Sequence, residues 1–160
     1  MSSSSLYDDD ILLWSEQQAE AIRRLGATTR NLPNELDLVH LAEEIESVGR
    51  SELAAVKSYL RLIFLHLIKL VAESGSQAAP HWHGEIVGFH SEMMERYSPS
   101  MRQRIDIGAI WRSAREQSLL TYGDTRVQLA SRLPTQCPFA IDDFIAPQID
   151  GFVLVERMGP

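Results

Sequence analysis

Two histidines and an aspartate are the first candidates for chemistry in this chain. His66 sits inside the apolar run Leu60–Val71, and His90 and Asp106 follow it. If the stretches around His66 and His90 form a helical hairpin turning near residue 77, the two histidines stand level. Continuing through Ser98-Pro99 then brings Asp106 to a similar height. A His–His–Asp cluster between helices could hold zinc, or one histidine could serve as a general base. The plain alternative is a core histidine donating to a carbonyl or carboxylate. Glu43, Glu44 and Glu46 form a second group, because carboxylates three apart share a helix face and could take a divalent metal or an arginine. A di-iron bundle needs Glu-x-x-His units on facing helices. None occurs, and His40-x-x-Glu43 has the order reversed. Glu46 with Arg50 is an i,i+4 ion pair, and a further carboxylate of the group is expected to accept an arginine from another helix.

Other reactive residues carry weaker patterns. His81 and His83 are two apart at a helix start and point to different sides. Cys137 is the sole cysteine and stands in a proline-framed bend, with no Cys–His spacing or oxyanion motif beside it. Arg96, Arg102, Arg104, Arg112 and Arg115 concentrate positive charge between residues 96 and 115, against Asp106 alone. That segment is the candidate anion or nucleic-acid site. Phosphate-binding glycine loops, Gly-x-Ser-x-Gly and Cys-x-x-Cys are absent from the sequence. No cofactor is predicted.

The elements that must position these residues read as helices throughout. Ile11, Trp14, Gln18, Ala21, Ile22 and Leu25 mark a first helix from about Asp9, with Gly26 as its stop. The dominant helix is predicted over residues 38–73, with Asp37 as N-cap. Leu38, Leu41, Ile45, Val48, Glu52, Val56, Tyr59, Ile63, Leu67 and Leu70 recur along it at three- and four-residue steps. Gly49-Arg50-Ser51 is its weak point, and the register carrying across predicts a continuous or mildly bent rod. Pro80 opens a third helix with Trp82, Ile86, Phe89, Met93 and Tyr97. Ser98 as N-cap and Pro99 as first residue open a fourth, carrying Met101, Ile105, Trp111, Arg115, Leu119 and Tyr122. Arg115 on that stripe requires a carboxylate partner or a route to solvent. Short helices are expected over residues 124–133 and 140–145, and periodicity leaves the apolar run Phe152–Val155 unassigned.

The fold class is therefore all-α, an antiparallel helical bundle built on the central helix of residues 38–73, with an irregular C-terminal tail. The expected organisation is a disordered tail over 1–6, one helical domain over 7–150 and a C-terminal extension over 151–160. At the first end of the long helix only two helices are available for a core, so the tail or a second subunit is expected to complete it. The 160 residues carry 22 acidic against 15 basic side chains, a formal charge of −7, which is the wrong sign for a non-specific nucleic-acid binder. The most apolar stretch is interrupted by Arg61, His66 and Lys69 and is too short to span a bilayer. One cysteine and a polar N-terminus without a signal-peptide pattern lead to an expectation of a cytoplasmic protein.

An ordered set of segments resembles a known family. Tyr7-Asp8-Asp9-Asp10 with Trp14 and Gln18 resembles its opening. Leu41-Ala42-Glu43-Glu44-Ile45-Glu46-Ser47-Val48-Gly49-Arg50-Ser51-Glu52 is very similar to the most recognisable motif of the bacterial "domain of unknown function" family twenty-nine. His66-Leu67-Ile68-Lys69, Trp82, Ser98-Pro99-Ser100-Met101-Arg102, Ala114-Arg115 and Leu133-Pro134-x-x-Cys137-Pro138-Phe139 match its later elements in order, over about residues 6–146. The resemblance implies a long helical bundle and a bacterial source, and it brings no activity, substrate or catalytic residue. The chain departs from the pattern at His81-Trp82-His83 and Phe89-His90, where members more often show Arg, Ser and Gln-Arg.

Three functional readings follow. The first is a structural or protein-interaction module, associating with itself or with another bacterial protein. The second is a metal-dependent or histidine-using enzyme centred on His66 and His90. The third is an anion or nucleic-acid binder using the Arg96–Arg115 segment.

Overall fold

The computed structural model describes residues 5–159. The described residues are helical and contain no strand, as the sequence pattern requires. The helices are α1 (Leu6–Asp9), α2 (Ile11–Thr28), α3 (Leu38–Ala72), α4 (Ala79–Arg96), α5 (Ile107–Thr121), α6 (Arg126–Arg132) and α7 (Gly151–Glu156). The chain forms two compact units, one of residues up to Ala55 with Arg96–Arg104, the other of Val56–Glu95 with Ile105 onward. Residues 1–4 of the expected N-terminal tail lie outside the described residues, and Leu6 already opens α1.

α3 is one unbroken helix of 35 residues, about 52 Å at about 1.5 Å per residue. Asp37 starts it, accepting from the His40 amide at 3.2 Å. In the first unit α2 lies antiparallel to it: Leu12 and Ser15 meet Gly49, Arg23 meets Glu46, and Gly26 meets Leu38. Gly49 is what allows this approach. A Cβ there would stand 2.9 Å from the Leu12 Cα and 2.1 Å from the Ser15 hydroxyl. The expected weak point of the rod is therefore its closest packing contact. Gly26 does not end the helix as expected. α2 runs on to Thr28, and Gly26 sits against Leu38 instead.

The segment after α4 also departs from expectation. Ser98-Pro99 does not start the fourth α-helix. Pro99–Arg104 forms a 3-10 segment, and α5 begins at Ile107 with Asp106 as N-cap, accepting from the Ala109 amide at 2.9 Å. The Ser98 hydroxyl is buried and makes no hydrogen bond, so it caps nothing. The 3-10 segment buries Met101 and completes the first unit against α2. This is the role expected of the C-terminal tail or a second subunit, and the tail instead packs within the second unit.

In the second unit α4 is antiparallel to α3: Tyr59 pairs with Glu92, His66 with Glu85, and Lys69 lies 5.2 Å from the Trp82 ring. Phe64 centres the core. Trp111 of α5 meets it edge-on at 5.5 Å and Phe144 at 5.4 Å, while Phe139 stacks at 6.0 Å. The Trp111 indole donates to the Pro134 carbonyl at 3.2 Å, fixing the proline-framed bend. Arg132 of α6 donates to the Val71 and Ala72 carbonyls, satisfying free acceptors at the end of α3. The apolar run Phe152–Val155 belongs to α7, capped by Asp150, with Gly151 close against Ile86.

Candidate functional site

His66 and His90 both face the inside of the second unit, but each has its own partners. The His66 Nδ1 lies 2.9 Å from the Leu62 carbonyl and its Nε2 2.9 Å from a Glu85 carboxylate oxygen. The Phe89 ring lies edge-on at 5.1 Å. Both nitrogens face oxygen atoms of the protein, so neither is turned toward an open position for a metal or a substrate. The pair ties α3 to α4. His81 approaches the same Glu85 carboxylate at 3.7 Å from the exposed side.

His90 is 5% exposed, and its Nε2 donates to the Phe144 carbonyl at 2.9 Å. It anchors the C-terminal segment to α4. Asp106, the third member of the expected cluster, is exposed and occupied in capping α5. Among the described residues no group of three His, Cys, Asp or Glu side chains is arranged to hold a metal ion.

Glu46 accepts from Arg23 of α2 at 2.5 Å and lies 3.4 Å from Arg50. The Arg23 guanidinium holds the Glu46 carboxyl below its ordinary range, and the Arg23 side chain is held up in turn. Glu43 is exposed on the adjoining face. Arg115 donates to the Ala130 carbonyl at 3.3 Å, so its partner is a backbone oxygen where a carboxylate or a route to solvent was expected, and its Nε is buried without one. Three further arginines of the 96–115 segment are engaged, while Arg112 is exposed without a hydrogen bond or ion pair. Arg96 pairs with Glu52 at 3.1 Å, Arg104 with Glu16 at 2.9 Å, and Arg102 is not free. Cys137 is half-buried, its thiol 3.5 Å from the Phe139 carbonyl. Burial pushes its pKa up, away from the reactive thiolate.

Sequence reasoning missed the residue that closes the first unit, Asp10. One of its oxygens accepts from the Leu13 amide at 3.0 Å and the Ser100 hydroxyl at 2.7 Å. The other accepts from the Ser100 amide at 2.8 Å. Burial raises its pKa, but the Ser100 hydroxyl and these two amides outweigh it and hold the carboxyl low. The Ser98 hydroxyl adds a weaker pull without closing a hydrogen bond. In the sequence Asp10 stands out only within the Tyr7-Asp8-Asp9-Asp10 opening, and nothing in its spacing reveals a partner 90 residues away. Asp150 was missed too. It caps α7 while meeting His83 at 3.2 Å, and Phe152 stacks on that ring at 4.5 Å.

Clefts among the described residues include two beside residues already described. One, of about 430 Å³, lies in the first unit between the end of α2 and the start of α3, lined by Ile22, Leu32, Leu36 and Val39 with Arg23 and Asp37. The other, of about 650 Å³, lies in the second unit between α4 and residues 147–149 and is lined in part by His90. No helix among the described residues is long and apolar enough to cross a membrane.

The comparisons agree with this architecture. The chain is similar over 99% of its length to all of a solved alpha-helical protein of unknown function from Rhodospirillum rubrum, at 33% identity and a TM-score of 0.88. Comparison with the curated proteins returns no match. The family model described as "Domain of unknown function DUF29" matches residues 6–149. With most of its length covered by that model, the chain belongs to the DUF29 family.

Proposed function

We propose that this protein is an interaction module that pairs with a second copy of itself through its first unit. One observation carries the reading: where α2 meets α3 in that unit small side chains pack inside beside Leu12, while several large apolar ones stay outside. Ser15, Ala19, Ala42 and Gly49 are buried where α2 meets α3. Leu25, Leu36, Leu41 and Val48 are 42–46% exposed and Val39 is 67% exposed. Leu41, Ile45 and Val48 form one row at three- and four-residue steps on α3, and Ile45 is half-buried beside the other two. The second unit encloses large aromatic side chains, Phe64, Trp111 and Phe144, in its core.

A contiguous apolar row on a water-soluble helix face marks an association surface. Removing the remaining exposed part of Leu41 and Val48 from water contributes about 1 kcal/mol each. A second copy is the favoured occupant, because a two-fold contact sets the same row against itself and gains that area twice. Sedimentation equilibrium tests this. The wild type is expected at twice the chain mass, and the double variant Leu41→Glu with Val48→Glu at the chain mass with unchanged helical circular dichroism. A monomeric wild type at roughly 100 μM, where even a weak dimer should populate, overturns the reading.

A further inference from the structure

We infer that the cleft between α3 and α5 in the second unit binds a small phosphate, as the free ion or as the monoester of a compact organic body. Lys57, Ser58 and Arg61 of α3 line one side of it, and Ala109, Ile110 and Ser113 of α5 line the other. Lys57 and Arg61 are half-buried and stand four residues apart on one helix face, where two like charges repel. Among the described residues no carboxylate pairs with either of them. Arg61 is held across to α5 by a neutral group instead: its Nη1 donates to the Gln117 Oε1 at 2.5 Å. The guanidinium is thereby fixed in place while its charge stays uncancelled.

The contrast with other cations of the chain marks the place. Arg23, Arg96, Arg104 and Arg157 each close on a carboxylate. In a chain of formal charge −7 counter-charges are plentiful, and none is set against Lys57 or Arg61. Arg112 brings a third cation without an ion pair to the same edge of α5. It precedes Ser113, and its Nη1 would stand 3.6 Å from a Cβ at Gly108. Asp106 is occupied in capping α5, and Glu116, one turn beyond Ser113, makes no ion pair. The Ser58 and Ser113 hydroxyls are exposed and make no hydrogen bond, so they are free to donate to an anion between the helices. A phosphate dianion answers several donors and more than one positive charge at once, which a carboxylate with two oxygens and one charge does not. A volume of about 280 Å³ suits a phosphate on a small body. The negative charge of the whole chain disfavours a nucleic-acid strand. Every residue of this cleft belongs to the second unit, so the inference and the first-unit association stand or fall separately.

The probes are inorganic phosphate and phenyl phosphate at about pH 7.5, where phosphate is mainly the dianion, with ionic strength held constant by sodium chloride. Proton–nitrogen NMR of the labelled full chain should show the Lys57, Ser58 and Ser113 amides and the Arg61 Nε–H shifting together and saturably, with a Kd on the order of 1 mM. Arg30 and Arg126, exposed arginines without an ion pair, should not move. Equal affinity for the two probes assigns the free ion and tighter phenyl phosphate the monoester, and either supports the inference. A thymidine oligonucleotide should bind no tighter than phosphate. Lys57→Gln keeps much of the stem and removes the charge. It should weaken phosphate about tenfold without lowering the melting temperature, and Arg61→Gln should weaken it similarly. Four results each overturn the inference: no shift at roughly 20 mM phosphate; a non-saturating shift shared by Arg30 and Arg126, which marks an adventitious ion only; tighter binding of the oligonucleotide; or undiminished affinity in a folded Lys57→Gln or Arg61→Gln variant.

Discussion

Replacing Gly49 by alanine would add one methyl group to the middle of a long helix, where alanine ordinarily gains about 1 kcal/mol over glycine. Here the added carbon stands 2.1 Å from the Ser15 Oγ, 2.9 Å from the Leu12 Cα and 3.1 Å from the Leu12 Cδ1. The serine can swing aside only by giving up its hydrogen bond to the Leu12 carbonyl at 2.9 Å, a loss of about 1 kcal/mol. The Leu12 backbone cannot rotate away, so α2 itself must move, at the overpacking cost of about 1–3 kcal/mol. The propensity gain offsets part of this, and the net is a loss of about 1–3 kcal/mol. Gly84 and Gly88 on α4 provide the control, since a Cβ at either meets nothing within 4 Å. Alanine at each should gain about 0.5–1 kcal/mol. Thermal melts by circular dichroism should therefore move in opposite directions, at about 2–4 °C per kcal/mol for a chain of this size. A Gly49→Ala variant as stable as wild type would refute the close approach of α2 to α3. So would a Gly84→Ala variant that loses as much as Gly49→Ala.

Three further outcomes follow from the charged contacts. Asp10→Asn should destabilise the protein by about 1–2 kcal/mol, since asparagine can still cap α2 through one oxygen but sets an NH2 group against the Ser100 amide, leaving that donor without its acceptor. Because the folded carboxyl titrates below its ordinary value of 3.8, Asp10 stabilises the fold fully above that pH and loses this contribution as pH falls through the lower folded value. Acid unfolding curves of the asparagine variant should lack that component. Glu46→Gln should lower the melting temperature by loosening Arg23, whereas Glu43→Gln should leave it unchanged; equal effects would show that the Arg23 contact is not formed. Tyr122 donates to Glu73 at 2.8 Å, and burial together with that carboxylate pushes its phenol up to about 12. Its contribution is complete below the ordinary 10.0 and is lost as pH rises through about 12. Ultraviolet titration of Glu73→Gln should show one phenol moving back toward 10.

The long helix was legible in the sequence to within a residue, because a sustained three-and-four repeat is a strong signal. Which side of it packs was not. Ala42 and Gly49 are neighbours of Leu41 and Val48 on the helix, and an apolar count favours the larger pair. The small pair is what admits α2, and that follows only from the partner's geometry. The histidine cluster was misplaced for a related reason. The pairings of Tyr59 with Glu92, His66 with Glu85 and Lys69 with Trp82 fold about Gly75 and Ser76, where Gly75 takes a φ of 82°. A turn placed near residue 77 doubles its small error across the hairpin, and Glu85 rather than His90 comes to His66. Ser98-Pro99 was a sound helix-start signal overruled by tertiary structure, since Asp106 offers a free capping carboxylate and Ser98 is buried.

Solvent accessibility of individual methyl groups tests the first-unit interface most directly. With a soluble paramagnetic agent present, methyl relaxation should show Leu41 and Val48 becoming shielded as protein concentration rises. Leu120 and Val127, at 76% and 73% exposure in the second unit, should stay accessible throughout. Leu41 and Val48 methyls that remain as accessible at high concentration as at low would contradict the account.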